Sequence, residues 1–293
     1  MRKIIVFVFL IGAMVSCNHA NKQEKVIKPT VTVSILPQKY LVERIVGNHF
    51  DVNVMIPPGA SPVSYEPTPK HMKELSNSDV YIRIGHIEFE KAWMKNIQNI
   101  NPDMRIIDQS ENAELIFSEE NHDHNSDHHH HGIDPHIWTS PKEVKKQAEF
   151  IYNYFISNYP ELELEINKSY AVFQDQLDSL DLYLQRALKP YKGRKFLIFH
   201  PALSYIARDY GLQQISIEID GKEPTPANIQ DVVELAKKEG IKVIFVQRQF
   251  STHNAEVIAK EINGNVVQID PLSYEWEQGI MEIADEIVKS YTK

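Results

Sequence analysis

The chain reads as an α/β protein made of two βα-type domains with mainly parallel sheets, joined by one long, rigid backbone helix and leaving a cleft between them. Three observations predict this. From Thr30 onward short β-rich runs alternate with amphipathic stretches, the mark of βα units. A second series of the same plan begins at Arg194. Between them Glu161 to Lys189 holds no Gly and no Pro, and Ile166, Tyr170, Phe173, Leu177, Leu180 and Leu184 step by four and three, which is helical periodicity along one face.

Taken in order, the N-terminus MRKIIVFVFLIGAMVSC places Arg2 and Lys3 before an apolar run from Ile4 to Val15, too short to span a bilayer. Residues 1–17 match a secretory signal peptide ending at Ser16-Cys17, and the lone cysteine at the expected cleavage point marks Cys17 as a lipid anchor of a bacterial lipoprotein. An unpaired free thiol is the plainer alternative. Residues 18–28, polar and without periodicity, read as a flexible tether. The first lobe, residues 29–159, has expected strands at Thr30 to Leu36, Asp51 to Ile56, Asp79 to Ile84 and Met104 to Asp108, and helices at Gln38 to Val46, Pro69 to Ser76 and Phe89 to Ile100. A further helix starts at Ser140-Pro141, where Ser suits the N-cap and Pro the first helical position.

The linking helix occupies 160–189 and, at 1.5 Å per residue, runs on the order of 40 Å. A continuous helix is stiff, so the lobes are expected to keep a nearly fixed angle with modest opening. The second lobe, 190–293, is expected to run strand Lys195 to Phe199, helix Ala202 to Tyr210 closed by Gly211, and strand Gln213 to Ile219. It continues with a helix from Thr225-Pro226 to Lys238 closed by Gly240, strand Ile241 to Val246, helix Ser251 to Ile262, strand Val266 to Ile269 and a final helix to Ser290.

The 293 residues, 42% of them hydrophobic, suffice for two ordinary cores, and the net charge of -9 without a Lys/Arg cluster argues against a nucleic-acid partner. Chemistry is better sought where open parallel sheets bind ligands, beyond the carboxyl ends of the strands. His200 follows KFLIF, Asp270 follows NVVQI, and His136 lies in DPHIW before the Ser140 helix. Each alone has an ordinary explanation as a satisfied polar group or turn residue. Two imidazoles and a carboxylate converging on one cleft form a first-row metal shell suited to zinc.

The stretch Asn121 to His136, NHDHNSDHHHHGIDPH, carries seven histidines in sixteen residues. The six at His122, His124, His128, His129, His130 and His131 have no apolar neighbour within that run, so 121–131 is read as a mobile surface loop that collects metal weakly through many near-equivalent imidazoles. An inert low-complexity segment is the alternative.

Several motifs recur in order along nearly the whole mature sequence: SYEPTP at 64–69 followed by KELSNSDVYIRIG, DPHIWTSP at 134–141, FHPALSYIARDYGL at 199–212, EPTPANI at 223–229, and VIFVQRQFS with VVQIDPL. In these the chain resembles the cluster A-I metal-binding receptors, the zinc or manganese substrate-binding proteins of bacterial ABC importers, and its His-rich insert resembles the zinc members. The resemblance implies two α/β lobes on one backbone helix and metal residues at His136, His200 and Asp270. It also departs from the family, which places a histidine ligand before YEP where this chain has Val63. Glu66, in the same loop, and His86, after VYIRIG, are candidates for the missing donor, with water as the remaining option.

The expected function is an exported, membrane-anchored receptor, monomeric, that captures Zn2+ (Mn2+ being the less favoured ion) in the cleft and delivers it to an ABC-type permease. Two other readings stay open: a zinc hydrolase with three protein ligands, an open position and Glu66 as general base, and a zinc scavenger or adhesin that needs no permease.

Overall fold

The computed structural model describes residues 28–117, 132–218 and 221–292. The signal segment, Cys17, the tether up to residue 27 and the six histidines of 122–131 lie outside the described residues. In the first lobe the chain forms β1 (Thr30–Val33), α1 (Leu36–Val46), β2 (Asp51–Val54), α2 (Pro69–Leu75), β3 (Val80–Arg83), α3 (Glu88–Ile100), β4 (Arg105–Asp108) and α4 (Pro141–Asn158). The 26-residue α5 (Glu163–Leu188) follows. The second lobe then runs β5 (Lys195–Ile198), α6 (Ser204–Tyr210), β6 (Gln213–Ser216), α7 (Pro226–Glu239), β7 (Val243–Gln247), α8 (His253–Glu261), β8 (Asn265–Ile269) and α9 (Trp276–Thr292).

Both sheets are wholly parallel and four-stranded, ordered β2-β1-β3-β4 and β6-β5-β7-β8. Five of the strands, β1, β2, β3, β5 and β6, end one to three residues before the runs expected from the sequence. Ile35, for instance, continues the β1 run but is already the residue that precedes α1, buried by packing rather than by strand pairing. The two orders are the same order, so each sheet reverses its winding between its first two strands in sequence and their later neighbour, β1 against β3 and β5 against β7. Such switch points open crevices at the carboxyl edge.

The helix ends follow their sequence signals. Ser140 caps α4 by accepting from the backbone N–H of Lys142 and Glu143, with Pro141 in the first position. Gly211 and Gly240 close α6 and α7 at φ +72° and +69°, the left-handed region where a side chain would be strained.

All six periodic residues read from the sequence of α5 are buried, together with Leu188. One face of this helix packs against α1 and α4 from the first lobe and against α9 from the second. Ile45, Phe155, Phe173, Leu177, Ile280 and Ile287 therefore belong to a single apolar core that runs through both lobes. The helix is less a spacer than a shared wall, packed by helices of both lobes.

Candidate metal centre

The site is built from two loops that face each other across the lobes. On the first-lobe side, Asp134-Pro135-His136 precedes a short turn of 3-10 helix at Ile137–Thr139. The Asp134 carboxylate accepts from the His136 backbone N–H at 2.9 Å and from the ring Nδ1 at 2.7 Å, so one residue fixes both the backbone and the ring. Burial alone would raise the Asp134 pKa, but the charge and hydrogen bonds of His136 outweigh it and hold the carboxyl below its ordinary value. His136 is only 8% exposed and its ring lies 5.1 Å from that of Trp138. Trp138 is itself clamped between lobes: its Nε1 donates to the carbonyl of Pro271 at 2.9 Å, and its own carbonyl accepts from Trp276 Nε1 at 2.7 Å.

On the second-lobe side, His200 leaves the end of β5. Gln247, the last residue of β7, donates from Nε2 to the His200 carbonyl at 2.6 Å and thereby fixes its backbone. The ring is held from two directions. Nδ1 donates to Glu218 Oε2 at 2.9 Å, and Phe250 stacks on the ring at 4.9 Å between centroids and 18° between planes. Desolvation pushes the His200 pKa down, and the hydrogen bond to Glu218, which acts the other way, does not cancel it. A neutral ring with its proton on Nδ1 presents a free lone pair at Nε2, the form a metal requires.

These two rings meet: the Nε2 atoms of His136 and His200 are 3.2 Å apart. When both rings are neutral and each gives its Nδ1–H to its carboxylate, the two Nε2 lone pairs face one another, and a cation between them would accept both. Two Zn–N bonds of 2.0–2.1 Å at a tetrahedral angle separate their nitrogens by about 3.3 Å, so the pair already has the bite of a zinc ligand pair.

Asp270 stands just beyond β8, as the edge rule expects. Its Oδ1 accepts from Gln249 Nε2 at 3.2 Å and from the Leu272 backbone N–H at 3.1 Å. It is linked to the imidazoles through its neighbours, Pro271 by the bond to Trp138 and Gln249 by adjacency to Phe250, but it does not touch them. Among the described residues no three His, Cys, Asp or Glu side chains converge into a complete metal cage. Glu66 is exposed, and Val63 is 46% exposed on the same loop. His86 is half-buried beside Ser110, whose Oγ lies 3.4 Å from Nε2, and desolvation lowers its pKa. The structure thus gathers His136 and His200 and leaves Asp270, Glu66 and His86 outside that pair.

The carboxyl edge of the first sheet is filled by its own side chains. Glu90 is 2% exposed and receives the backbone N–H groups of Ile84 at 2.8 Å and Gly85 at 2.9 Å and the hydroxyl of Ser34. Gln38 and Gln109 bond to each other beside it. This lobe therefore reaches the metal centre through the Asp134–His136 loop and not through its switch point. Sequence reasoning missed Asp134 and Glu218, the carboxylates that orient the imidazoles.

Two parallel α/β lobes on a shared helix, with imidazoles from opposite lobes meeting in the cleft, define a metal-binding receptor of the cluster A-I type. The family model for the zinc-uptake complex component A, periplasmic (ZnuA), matches residues 31–290, and the chain belongs to that family. It is 34% identical to a ZnuA of known crystal structure, with a TM-score of 0.83 over 90% of this chain and 99% of that one. It is 25% identical over 280 residues to the zinc-binding lipoprotein AdcA of Streptococcus pneumoniae, covering 93% of this chain but 56% of the relative, so it spans about half the length of that protein. A putative metal-binding protein of Chlamydia muridarum is 27% identical over 286 residues, covering 97% of this chain and 98% of the relative.

Proposed function

We propose that the protein is an extracytoplasmic zinc receptor that takes one Zn2+ between His136 and His200, recruits Asp270 as third donor, and hands the ion to an ABC-type permease. The observation that carries this reading is the pair of Nε2 atoms 3.2 Å apart with both Nδ1 atoms tied to carboxylates. The ion is the cargo of the protein. Imidazole and carboxylate donors without a thiolate suit Zn2+ and disfavour a harder ion such as Ca2+ or Mg2+. A zinc-binding lipoprotein among the relatives and a zinc-bound ZnuA deletion mutant of 33% identity support the choice of metal. Asp270 adjoins Pro271, whose carbonyl is tied to Trp138 beside His136, and that chain of contacts is what supports its recruitment.

Export and anchoring through Cys17 belong to the same reading, as does weak collection of zinc by the histidines of 121–131. No helix among the described residues is long and apolar enough to cross a membrane. Competition titration of metal-free protein against a chromophoric zinc chelator tests the proposal: one tight equivalent is expected, lost in His136→Ala, His200→Ala and Asp270→Ala and kept when 121–131 is deleted. Tight zinc surviving in the His136→Ala/His200→Ala double variant would remove the assignment.

A further inference from the structure

His136 and His200 come from different lobes, so their 3.2 Å spacing has to be held by something that reaches both. The segment from His200 to Tyr205 does so: its first residue carries one imidazole, and its last, in α6, reaches the loop that carries the other. The first end is fixed at the His200 carbonyl, which accepts from Gln247 Nε2 at 2.6 Å and from the Ala202 N–H at 2.8 Å. Farther along, the Leu203 N–H donates to Gln214 Oε1 at 2.7 Å and ties the segment to β6 of its own sheet.

Tyr205 is wholly buried and packs in an apolar cluster with Ile137 and Trp138 of the first lobe. Its hydroxyl donates to the Asp134 carbonyl at 2.8 Å and accepts from the Ile116 N–H at 3.1 Å. The Asp134 N–H in turn donates to the Ile116 carbonyl at 2.9 Å, which closes a ring of hydrogen bonds through one phenolic oxygen. Both backbone groups of Asp134 are thereby pinned, while its carboxylate holds the His136 backbone and ring. Only Pro135, whose φ is fixed by its own ring, separates the two. Burial pushes the Tyr205 pKa up to about 12, so the phenol keeps its proton and remains a donor. Arg208, on the same helix, adds a second tie by donating to the Glu114 carbonyl at 2.6 Å, with its guanidinium 5.0 Å from the Tyr205 ring.

We propose that Tyr205 is a positioning residue for the imidazole pair, its hydroxyl setting the spacing by fastening the Asp134–His136 loop to the segment that carries His200. Its role in metal capture rests on the zinc reading above. Tyr205→Phe in the full chain tests it, because the ring still fills its place and a single oxygen is removed. Zinc affinity in chelator competition is expected to fall about tenfold, the lower end of the effect of partners that orient metal ligands. In the metal-free protein the His136 ring resonances, identified by their loss in His136→Ala, are expected to move. Tyr210→Phe is the control: it removes a second hydroxyl from α6, one that donates to Asp181 at 2.8 Å, and should lower the urea midpoint while leaving affinity and His136 resonances as they are. A Tyr205→Phe protein with a lowered midpoint but wild-type affinity and resonances overturns the proposal and leaves the zinc receptor standing, as does a Tyr210→Phe protein that shifts both readouts equally. Wild-type protein that takes up no zinc overturns the zinc reading, and the metal-free resonances then decide the positioning by themselves.

Discussion

At the scale of single residues, the direction of each imidazole is set by a carboxylate that contributes no metal bond of its own. Such partners fix the tautomer and raise the basicity of the ligand, and their loss typically weakens metal binding by about 10- to 100-fold. Glu218→Ala is expected to lower zinc affinity within that range in a chelator competition titration, and Glu218→Gln less, because an amide oxygen can still accept from His200 Nδ1. An unchanged affinity in Glu218→Ala would mean that Phe250 and Gln247 alone hold the ring. The candidates His136 and His200 were legible by different signals: the strand-edge rule points to His200 after β5, and the DPHIW stretch before the Ser140 helix points to His136. Glu218 obeys the same rule and was hidden by strand length: a run read through Ile219 places it inside β6, whereas the strand stops at Ser216. Asp134 was hidden for a different reason, since an Asp before Pro reads equally well as a turn until the ring it grips is seen. The clamp at Tyr205 joins segments distant in sequence, and no local pattern announces it.

Glu90 supports a prediction on pH. Burial pushes its pKa from 4.5 to about 8, against the opposing pull of its hydrogen bonds from Ser34, Ile84 and Gly85. Between those values the folded chain holds a proton that the unfolded chain has released. The contribution is therefore complete below about 4.5 and is lost as pH rises toward 8. The loss is on the order of a few kcal/mol at about 1.4 kcal/mol per unit. In urea melts across this window, the wild-type stability minus that of Glu90→Gln should fall as pH rises. The slope is the readout rather than the absolute value, because the amide sets a donor against the Gly85 N–H. A flat difference would show that the carboxyl is ionised throughout.

At the scale of elements, α5 was the most legible part of the chain. Its apolar stripe, free of Gly and Pro, specified both its length and the face it buries. What the stripe could not say is what lies against it, because periodicity describes one surface and not its partner. The partners are α1, α4 and α9. Phe173, 1% exposed, packs edge-on to Tyr40 with ring centroids 6.2 Å apart. Phe173→Ala should cost about 3–5 kcal/mol in urea unfolding, the usual price of removing a buried aromatic ring. A cost below about 1 kcal/mol would mean that the helix face can close over the gap.

At the scale of the whole molecule, the question is whether two lobes behave as one. Two separate α/β domains on a plain linker would unfold in two steps. Here the core is continuous through α5, and further bonds cross between lobes: Trp138 to Pro271, Trp276 to Trp138, Tyr40 to Glu277 and Ser140 to Asp209. Loss of either lobe would strip α5 of part of its buried face and leave indole N–H groups and carboxylates without partners. An intermediate with one lobe folded is therefore costly, and unfolding should be a single cooperative transition. Trp138 and Trp276 report the interlobe seam by fluorescence, while far-UV circular dichroism reports all helices, so coincident urea midpoints are expected for the metal-free chain. Zinc that bridges His136 and His200 should shift both midpoints together, by about 2.7 kcal/mol when free zinc stands at a hundred times its dissociation constant. A fluorescence transition that precedes the helical one would show that the lobes part before they melt, and the angle between them would then be set by the metal rather than by the helix.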